Sequence, residues 1–120
     1  MKRILVVDDS EIVLEACRMA LEEAGFWVKC IESPTFSLSD AEEIKPDLAL
    51  VDVMFPGSMT GDSLAQFMKL VSGEFQVFLF SDIPEEELRQ RSENAGAHGY
   101  ICKSWGLEEM VRRIEAALAD

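Results

Sequence analysis

The chain has 120 residues, a length typical of one domain, and 48% of them are hydrophobic, which is enough to bury a core without disulfides or metal ions. Eleven basic residues against 23 acidic ones give a formal net charge of −12, which disfavours direct binding to nucleic acid because both surfaces are negative. No apolar run approaches the roughly 18 residues of a membrane span, and the one near the N-terminus is too short for a signal peptide. We therefore expect a single domain over residues 1–120, located in the cytoplasm and not inserted in a membrane.

The cysteine pattern argues against a disulfide framework or a metal site. Cys17, Cys30 and Cys102 are odd in number, far apart in the chain and without metal-ligand spacing, and each lies in an apolar stretch. We expect reduced, buried thiols, as in most cytosolic proteins.

Five short runs indicate β-strands. Residues 4–7, 48–51 and 77–80 are near-continuous apolar runs, as expected for parallel strands buried on both faces. Residues 26–31 are more mixed, which favours a position near an edge of the sheet, and residues 100–102 form the last run.

Amphipathic segments separate and follow the strands. The first has small and apolar residues at helical spacing, followed by a glycine stop: Ile12, Val13, Ala16, Cys17, Ala20, Ala24 and then Gly25. Further helices are predicted over residues 34–44, 60–71 and 84–95, the last ending at Gly96. The final helix begins at Leu107 and is predicted to direct an apolar face toward the core: Leu107, Met110, Val111, Ile114 and Leu118. Five alternations of strand and helix predict an α/β fold in which a five-stranded parallel sheet has helices on both faces.

Polar side chains follow four of the predicted strands. Asp8 and Asp9 come after the first strand, Asp52 after the third, Ser81 after the fourth and Lys103 after the fifth. Ligands of open parallel sheets bind beyond the carboxyl ends of the strands, so these five residues form the candidate site. Each residue type alone is common in turns or on the surface, but all five at the same end of their strands is a rare coincidence.

The chemistry of this set points to a metal-assisted phosphoryl acceptor. Three carboxylates within a few ångströms repel one another unless a cation neutralises them, and Mg²⁺ accepts carboxylate, water and phosphate oxygens. With Mg²⁺ bound, one carboxylate can serve as a nucleophile toward phosphorus. Lys103 would then offset charge on the phosphoryl oxygens, and Ser81 would donate a hydrogen bond to one of them.

Four sequence motifs along the whole chain carry a resemblance to a known family. They are VVDDS at residues 6–10, PDLALVD at 46–52, FLFS at 78–81 and GAHGYICK at 96–103. Together they resemble the receiver domains of response regulators in two-component signalling, and in particular the chemotaxis-regulator type. The resemblance implies the (βα)5, flavodoxin-like receiver fold and a signalling function.

The resemblance also implies a metal site and a phosphoacceptor. Asp52 resembles the phosphoacceptor, and Asp8 and Asp9 resemble the acidic pair that binds Mg²⁺ directly or through water. Met54 matches the position whose backbone carbonyl is a further metal ligand.

The other implied roles concern the switch itself. Ser81 resembles the switch hydroxyl, and Lys103 resembles the phosphate-binding lysine. Tyr100 resembles the aromatic residue that turns inward when Ser81 shifts toward the phosphoryl group. A plainer alternative for Tyr100 is a tyrosine at the edge of the strand, packed on the last helix.

Two departures from the family pattern border the site. Pro56 and Gly61 are separated by four residues where three are common, which bears on the position of the Met54 carbonyl. Asp82 follows Ser81 where family members carry a small residue, and its carboxylate would oppose a phosphoryl group unless it points to solvent or binds metal. Both departures concern the efficiency of phosphorylation rather than the fold.

These residues are compatible with three functions to different degrees. The favoured one is a switch that receives a phosphoryl group on Asp52 from a histidine kinase or a histidine phosphotransfer protein and changes its surface for a downstream protein. Such a protein is not an enzyme beyond assisting its own Mg²⁺-dependent phosphorylation and dephosphorylation. The alternative is a pseudo-receiver, a phosphorylation-independent interaction module, against which the intact Asp52 and Lys103 argue. An aspartyl phosphatase would need a second carboxylate two residues after the nucleophile, where Met54 stands.

Overall fold

A computed structural model describes residues 1–32, 43–52 and 75–119 of the chain. The predicted helix over residues 60–71 lies outside the described residues, as does most of the predicted helix over residues 34–44. The loop that contains Met54 and Pro56 also lies outside them.

The strands form one parallel sheet. Their bounds are β1 Arg3–Val7, β2 Trp27–Ile31, β3 Leu48–Asp52, β4 Gln76–Ser81 and β5 Gly99–Cys102. The order across the sheet is β2-β1-β3-β4-β5, and every neighbouring pair is parallel. The prediction that β2 lies at an edge is confirmed, and β3, all of whose residues are buried, lies in the centre.

Three α-helices lie within the described part of the chain: α1 Glu11–Glu23, α2 Glu85–Ala95 and α3 Leu107–Ala117. The hydroxyl of Ser10 caps α1 by accepting a hydrogen bond from the N–H of Val13. Gly96 ends α2 in the left-handed conformation, with φ of 75°, as predicted for a glycine stop. No helix among the described residues is both long and apolar enough to cross a membrane.

Alternation along the strands divides the core into two layers. The layer that contains residues of α1 and α3 consists of Ile4, Val6, Leu14, Cys17, Leu21, Leu48, Leu50, Phe80, Ile101, Met110 and Ile114. The layer on the opposite face, which contains Leu88 of α2, consists of Leu5, Val7, Ala49, Val51, Phe75, Val77, Leu79, Leu88 and Cys102. Because successive strand residues point to opposite faces, both layers draw on the same strands, and helices cover both faces as predicted.

The buried faces of α1 and α3 differ in part from the predicted ones. Leu14, Cys17 and Leu21 are the buried residues of α1, whereas Ile12 is 82% exposed. Ile12 is two residues from Leu14, about 200° away around a helix, so it belongs to the opposite side. Leu107 is 41% exposed, because it is the first residue of α3 and lines an open groove between α1 and α3. The prediction that it lies in the core was therefore wrong.

The only histidine in the sequence ties the start of β5 to β4. The main-chain N–H of His98 donates to the carbonyl of Val77 at 2.9 Å, and the N–H of Val77 donates to the imidazole Nδ1 at 3.0 Å. Val77 is fully buried, so water does not replace the imidazole as an acceptor for its N–H. The neutral imidazole therefore keeps its proton on Nε2.

Replacing this acceptor tests how much it stabilises the sheet. We expect His98→Ala to lower the free energy of unfolding by about 1–3 kcal/mol, because it leaves a buried N–H without a partner. His98→Asn retains a side-chain oxygen that can accept the bond, and its loss is expected to be clearly smaller. Urea unfolding of the two variants and wild type measures both values; equal losses in the two variants would contradict the assignment.

The three cysteines are free thiols, with Cys17 and Cys102 buried and Cys30 half-buried. Burial, and after it the negative charge of Asp8, raises the pKa of Cys17 from its ordinary value to about 12. Burial also raises the pKa of Cys30 and of Cys102. These thiols therefore stay protonated near neutral pH.

The raised pKa of Cys17 predicts a loss of stability in alkali. The thiol of Cys17 ionises above about pH 9 in the unfolded chain but stays neutral in the folded protein. Its contribution to the free energy of unfolding is therefore complete below about pH 9 and is lost as the pH rises toward 12. The measurement is urea unfolding of wild type and Cys17→Ala between about pH 7 and 10.5. The difference between the two should shrink with rising pH, and a constant difference would refute the linkage.

Candidate functional site

The carboxyl ends of β1, β3 and β5 bring four of the predicted site residues together. Asp8 and Asp9 follow β1, Asp52 is the last residue of β3, and Lys103 follows β5. One ligand oxygen from each of the three aspartates lies within 4.8 Å of the others. Since all strands run in the same direction, their ends meet at one edge of the sheet, which we call the rim.

Asp8 is fully buried and fixed on one side by the start of α1. Its Oδ1 accepts a hydrogen bond from the N–H of Ser10 at 3.0 Å, and Ser10 in turn caps α1. Its Oδ2 forms an ion pair with Lys103 but accepts no well-oriented hydrogen bond. A buried carboxylate oxygen in this condition has capacity for a further cationic ligand.

Lys103 bridges the two buried carboxylates. Its Nζ lies 2.8 Å from Oδ2 of Asp8 and 3.3 Å from Oδ2 of Asp52, and its side chain is 16% exposed. Burial acts to lower the pKa of Lys103, but the close ionic contact with Asp8 and the charge and hydrogen bond of Asp52 outweigh it and leave the pKa raised. The ammonium group is therefore firmly charged.

Ser81, the last residue of β4, is fully buried next to the rim. Its Oγ accepts a hydrogen bond from the N–H of Ile83 at 3.3 Å, a contact that does not use the hydroxyl proton. Asp82 is exposed to solvent, which is the condition under which an extra carboxylate is tolerated at this position.

Tyr100 lies at the outer strand of the sheet and does not point into the rim. Its hydroxyl donates to Oε2 of Glu85 at 3.0 Å, and its ring lies 5.9 Å from that of Trp105 at an interplanar angle of 46°. Burial, followed by the hydrogen bond to Glu85, raises its pKa. Trp105 is in turn covered by the guanidinium of Arg113 on α3 at 4.1 Å. The switch role of Tyr100 and the plainer alternative both remain predictions.

Two neighbours of the predicted residues were missed from the sequence. Glu85, the first residue of α2, lies in the helix predicted over residues 84–95 but has no predicted role there, although it accepts the bond from Tyr100. Phe80 was assigned to the core, although its ring also lies beneath the Nζ of Lys103, 5.3 Å from the ring centroid. The strand alternation contained a signal for Phe80, because it and Asp52 are paired across β3 and β4.

The donor set fits Mg²⁺. The oxygens of Asp8, Asp9 and Asp52 are the hard ligands that this ion prefers, and Oδ2 of Asp8 lacks a hydrogen bond. Asp9 is exposed, which leaves room for water ligands. The fourth predicted ligand, the Met54 carbonyl, lies outside the described residues.

Comparison with known proteins decides the family. The profile of the response regulator receiver domain matches residues 4–115. This chain belongs to that family. Its members are phosphorylated in two-component signal transduction, and they bind Mg²⁺ at an acidic pocket.

Sequence relatives agree with this assignment. The DNA-binding response regulator MtrA of Mycobacterium tuberculosis is 34% identical over 117 residues, covering 98% of this chain and 50% of that protein. The phosphate regulon transcriptional regulatory protein PhoB of Klebsiella pneumoniae is 36% identical over 122 residues, covering 98% of this chain and 52% of that protein. The chain thus spans about half the length of these curated relatives.

Solved structures show the same receiver fold. A CheY-like receiver domain protein from Methanospirillum hungatei matches with a TM-score of 0.84 and 29% identity, covering 98% of this chain and 94% of that one. A response regulator from Thermotoga maritima matches with a TM-score of 0.84 and 26% identity, covering 100% and 99%. The predicted flavodoxin-like α/β fold and the resemblance to receivers are confirmed.

The carboxylates of this receiver rim predict stabilisation by Mg²⁺. Mg²⁺ at ten times its dissociation constant adds about 1.4 kcal/mol to the free energy of unfolding, which raises Tm by several degrees. We expect this rise in wild type and in Asp47→Asn, which changes a carboxylate at the opposite end of β3. The Mg²⁺-induced rise should be much smaller in Asp9→Asn. Thermal unfolding with and without Mg²⁺ measures it, and an unchanged wild-type Tm would count against the metal site.

Proposed function

We propose that this receiver is a phosphoacceptor switch in which Asp52 takes the phosphoryl group from a histidine kinase or a histidine phosphotransfer protein. The observation that carries the proposal is the position of Asp52. It is buried at the end of the central strand, in the cluster with Asp8 and Asp9 and 3.3 Å from the ammonium of Lys103. A nucleophile, a cation and a metal-binding pair thus lie within reach of one phosphoryl group.

The proposed step forms a bond between a carboxylate oxygen of Asp52 and phosphorus while the phosphorus–nitrogen bond of the donor phosphohistidine breaks. The imidazole of the donor leaves and takes up a proton. Mg²⁺ held by the aspartates would offset the negative charge that two anions bring together. Lys103 would exchange an aspartate for a phosphoryl oxygen, and the Ser81 hydroxyl would donate to another.

The consequence of phosphorylation is a shift between two surface states. In the present state Ser81 is bonded to the N–H of Ile83, and Tyr100 is bonded to Glu85. If Ser81 moves to a phosphoryl oxygen, the loop after β4 loses one of its restraints and Tyr100 can change its position. Phosphorylation shifts the equilibrium between the two states by the difference between the interaction free energies of the phosphoryl group with them.

The partners we propose are proteins: the phosphodonor on one side and a downstream target on the other. We expect no direct contact of this domain with nucleic acid because of its net charge of −12, although its longer relatives are named as DNA-binding regulators. The free thiols fit our proposal of a cytoplasmic location. We propose no enzyme activity beyond its own phosphorylation and dephosphorylation.

Labelling with a small phosphodonor tests the proposal. With acetyl phosphate and Mg²⁺, wild type should gain one phosphoryl group by intact-protein mass spectrometry, and Asp52→Asn should gain none. Asp47→Asn, the same change at the other end of β3, should be labelled like wild type. Absence of label in wild type would favour the pseudo-receiver, and equal label in Asp52→Asn would place the acceptor elsewhere.

A further inference from the structure

Phe80 lies on the same face of the sheet as the charged groups of the rim. It pairs with Asp52 on β3 and with Ile101 on β5, and Lys103 begins a short 3₁₀ helix directly after β5. Paired residues of neighbouring strands point to the same face, with the strands about 4.8 Å apart. The fold therefore places an aromatic ring between the strand that ends in the phosphoacceptor and the strand that leads to the lysine.

The ring is in contact range of the ammonium group. Lys103 Nζ lies 5.3 Å from the centroid of the Phe80 ring, and Phe80 is only 3% exposed. A cation within about 6 Å of a ring face is attracted by the ring quadrupole, more strongly when water is excluded. The ammonium of Lys103 thus has three attractive neighbours among the described residues: two carboxylates and one ring.

The ring differs from the two carboxylates in what it can do during phosphorylation. Asp8 and Asp52 attract Lys103 with full charges, but Mg²⁺ would compete for their oxygens, and phosphorylation would convert Asp52 to an acyl phosphate. A phenyl ring binds no Mg²⁺, accepts no phosphoryl group and adds no negative charge to the rim. Its attraction for the ammonium therefore persists when the attraction of the carboxylates is reduced.

We propose that Phe80 is a positioning residue for Lys103, whose ammonium it holds at the rim while Asp8 and Asp52 are engaged by Mg²⁺ and the phosphoryl group. This inference rests on the proposed function, because it concerns phosphoryl transfer to Asp52. It assigns to a core residue a second role, which acts through Lys103 rather than on the reacting atoms.

A series of fluorinated phenylalanines separates this role from packing. Fluorination of the ring weakens its quadrupole stepwise while keeping its shape nearly unchanged. With incorporation at position 80, the rate of Mg²⁺-dependent phosphorylation by acetyl phosphate should fall with each added fluorine, by about tenfold at full fluorination. The same series at Phe78, on the same strand but packed against Gly99, is the matched control and should show no trend.

A double-mutant cycle tests the contact without any phosphorylation. Phe80→Leu should change the unfolding equilibrium constant about fivefold more in wild type than in the Lys103→Met background, because only wild type has a cation to lose. The corresponding cycle with Phe78→Leu should show no such coupling. Both cycles are measured by urea unfolding, and the loss of core volume cancels between the two backgrounds.

The two experiments fail in different ways. If wild type takes no label but the Phe80–Lys103 cycle shows coupling, the proposed function fails while the contact stands, and the positioning role is overturned with that function. If wild type is labelled and the fluorinated series at position 80 is flat, Phe80 does not position Lys103 for the reaction. Absence of coupling in the cycle overturns the inference whatever the labelling shows.

Discussion

The ammonium group of Lys103, held between the carboxylates of Asp8 and Asp52, is the interaction on which the rim depends. Two buried carboxylates a few ångströms apart would otherwise repel each other in a medium that screens charge poorly. Within the described residues, Lys103 is the cation that opposes them. Its contact with Asp8 is an ion pair without a well-oriented hydrogen bond, so the desolvation of that carboxylate is only partly offset.

This electrostatic arrangement follows from simple features of the chain. Parallel strands bring their carboxyl ends to one edge, alternation places Asp52 and Phe80 on the face covered by α1 and α3, and Lys103, directly after β5, contacts both. Ser10 then links the rim to a helix, since its hydroxyl caps α1 while its N–H binds Asp8. The residues at the ends of the strands and the starts of the helices thus also fix the positions of the charged groups at the rim.

The sequence allowed the strands and the rim to be predicted because buried parallel strands are continuous apolar runs, and the polar residues that end them are easily located. Most of the predicted core residues of α1 and α3 lie in or against the core, but the sequence did not show that Ile12 and Leu107 are exposed. Periodicity states which residues share a side of a helix, but packing against the sheet selects the side. The bond of Tyr100 to Glu85 depends on a rotamer and on how α2 lies against β5, neither of which has a sequence signal.

α2 has the attachments that a switch of the proposed kind requires. Its buried residues are Leu88 and Ser92, and Ser92 donates to the carbonyl of Gly99 at 3.2 Å. Its ion pairs, such as Arg89 with Glu93, are exposed pairs along one helix and stabilise by only about 0.2–0.5 kcal/mol each. They also move with the helix, so they do not hold it to the sheet. A few kcal/mol of differential binding of the phosphoryl group at the rim is enough to rearrange such a helix–sheet contact. The hydrogen bond from Tyr100 on β5 to Glu85, the first residue of α2, links the helix to the sheet.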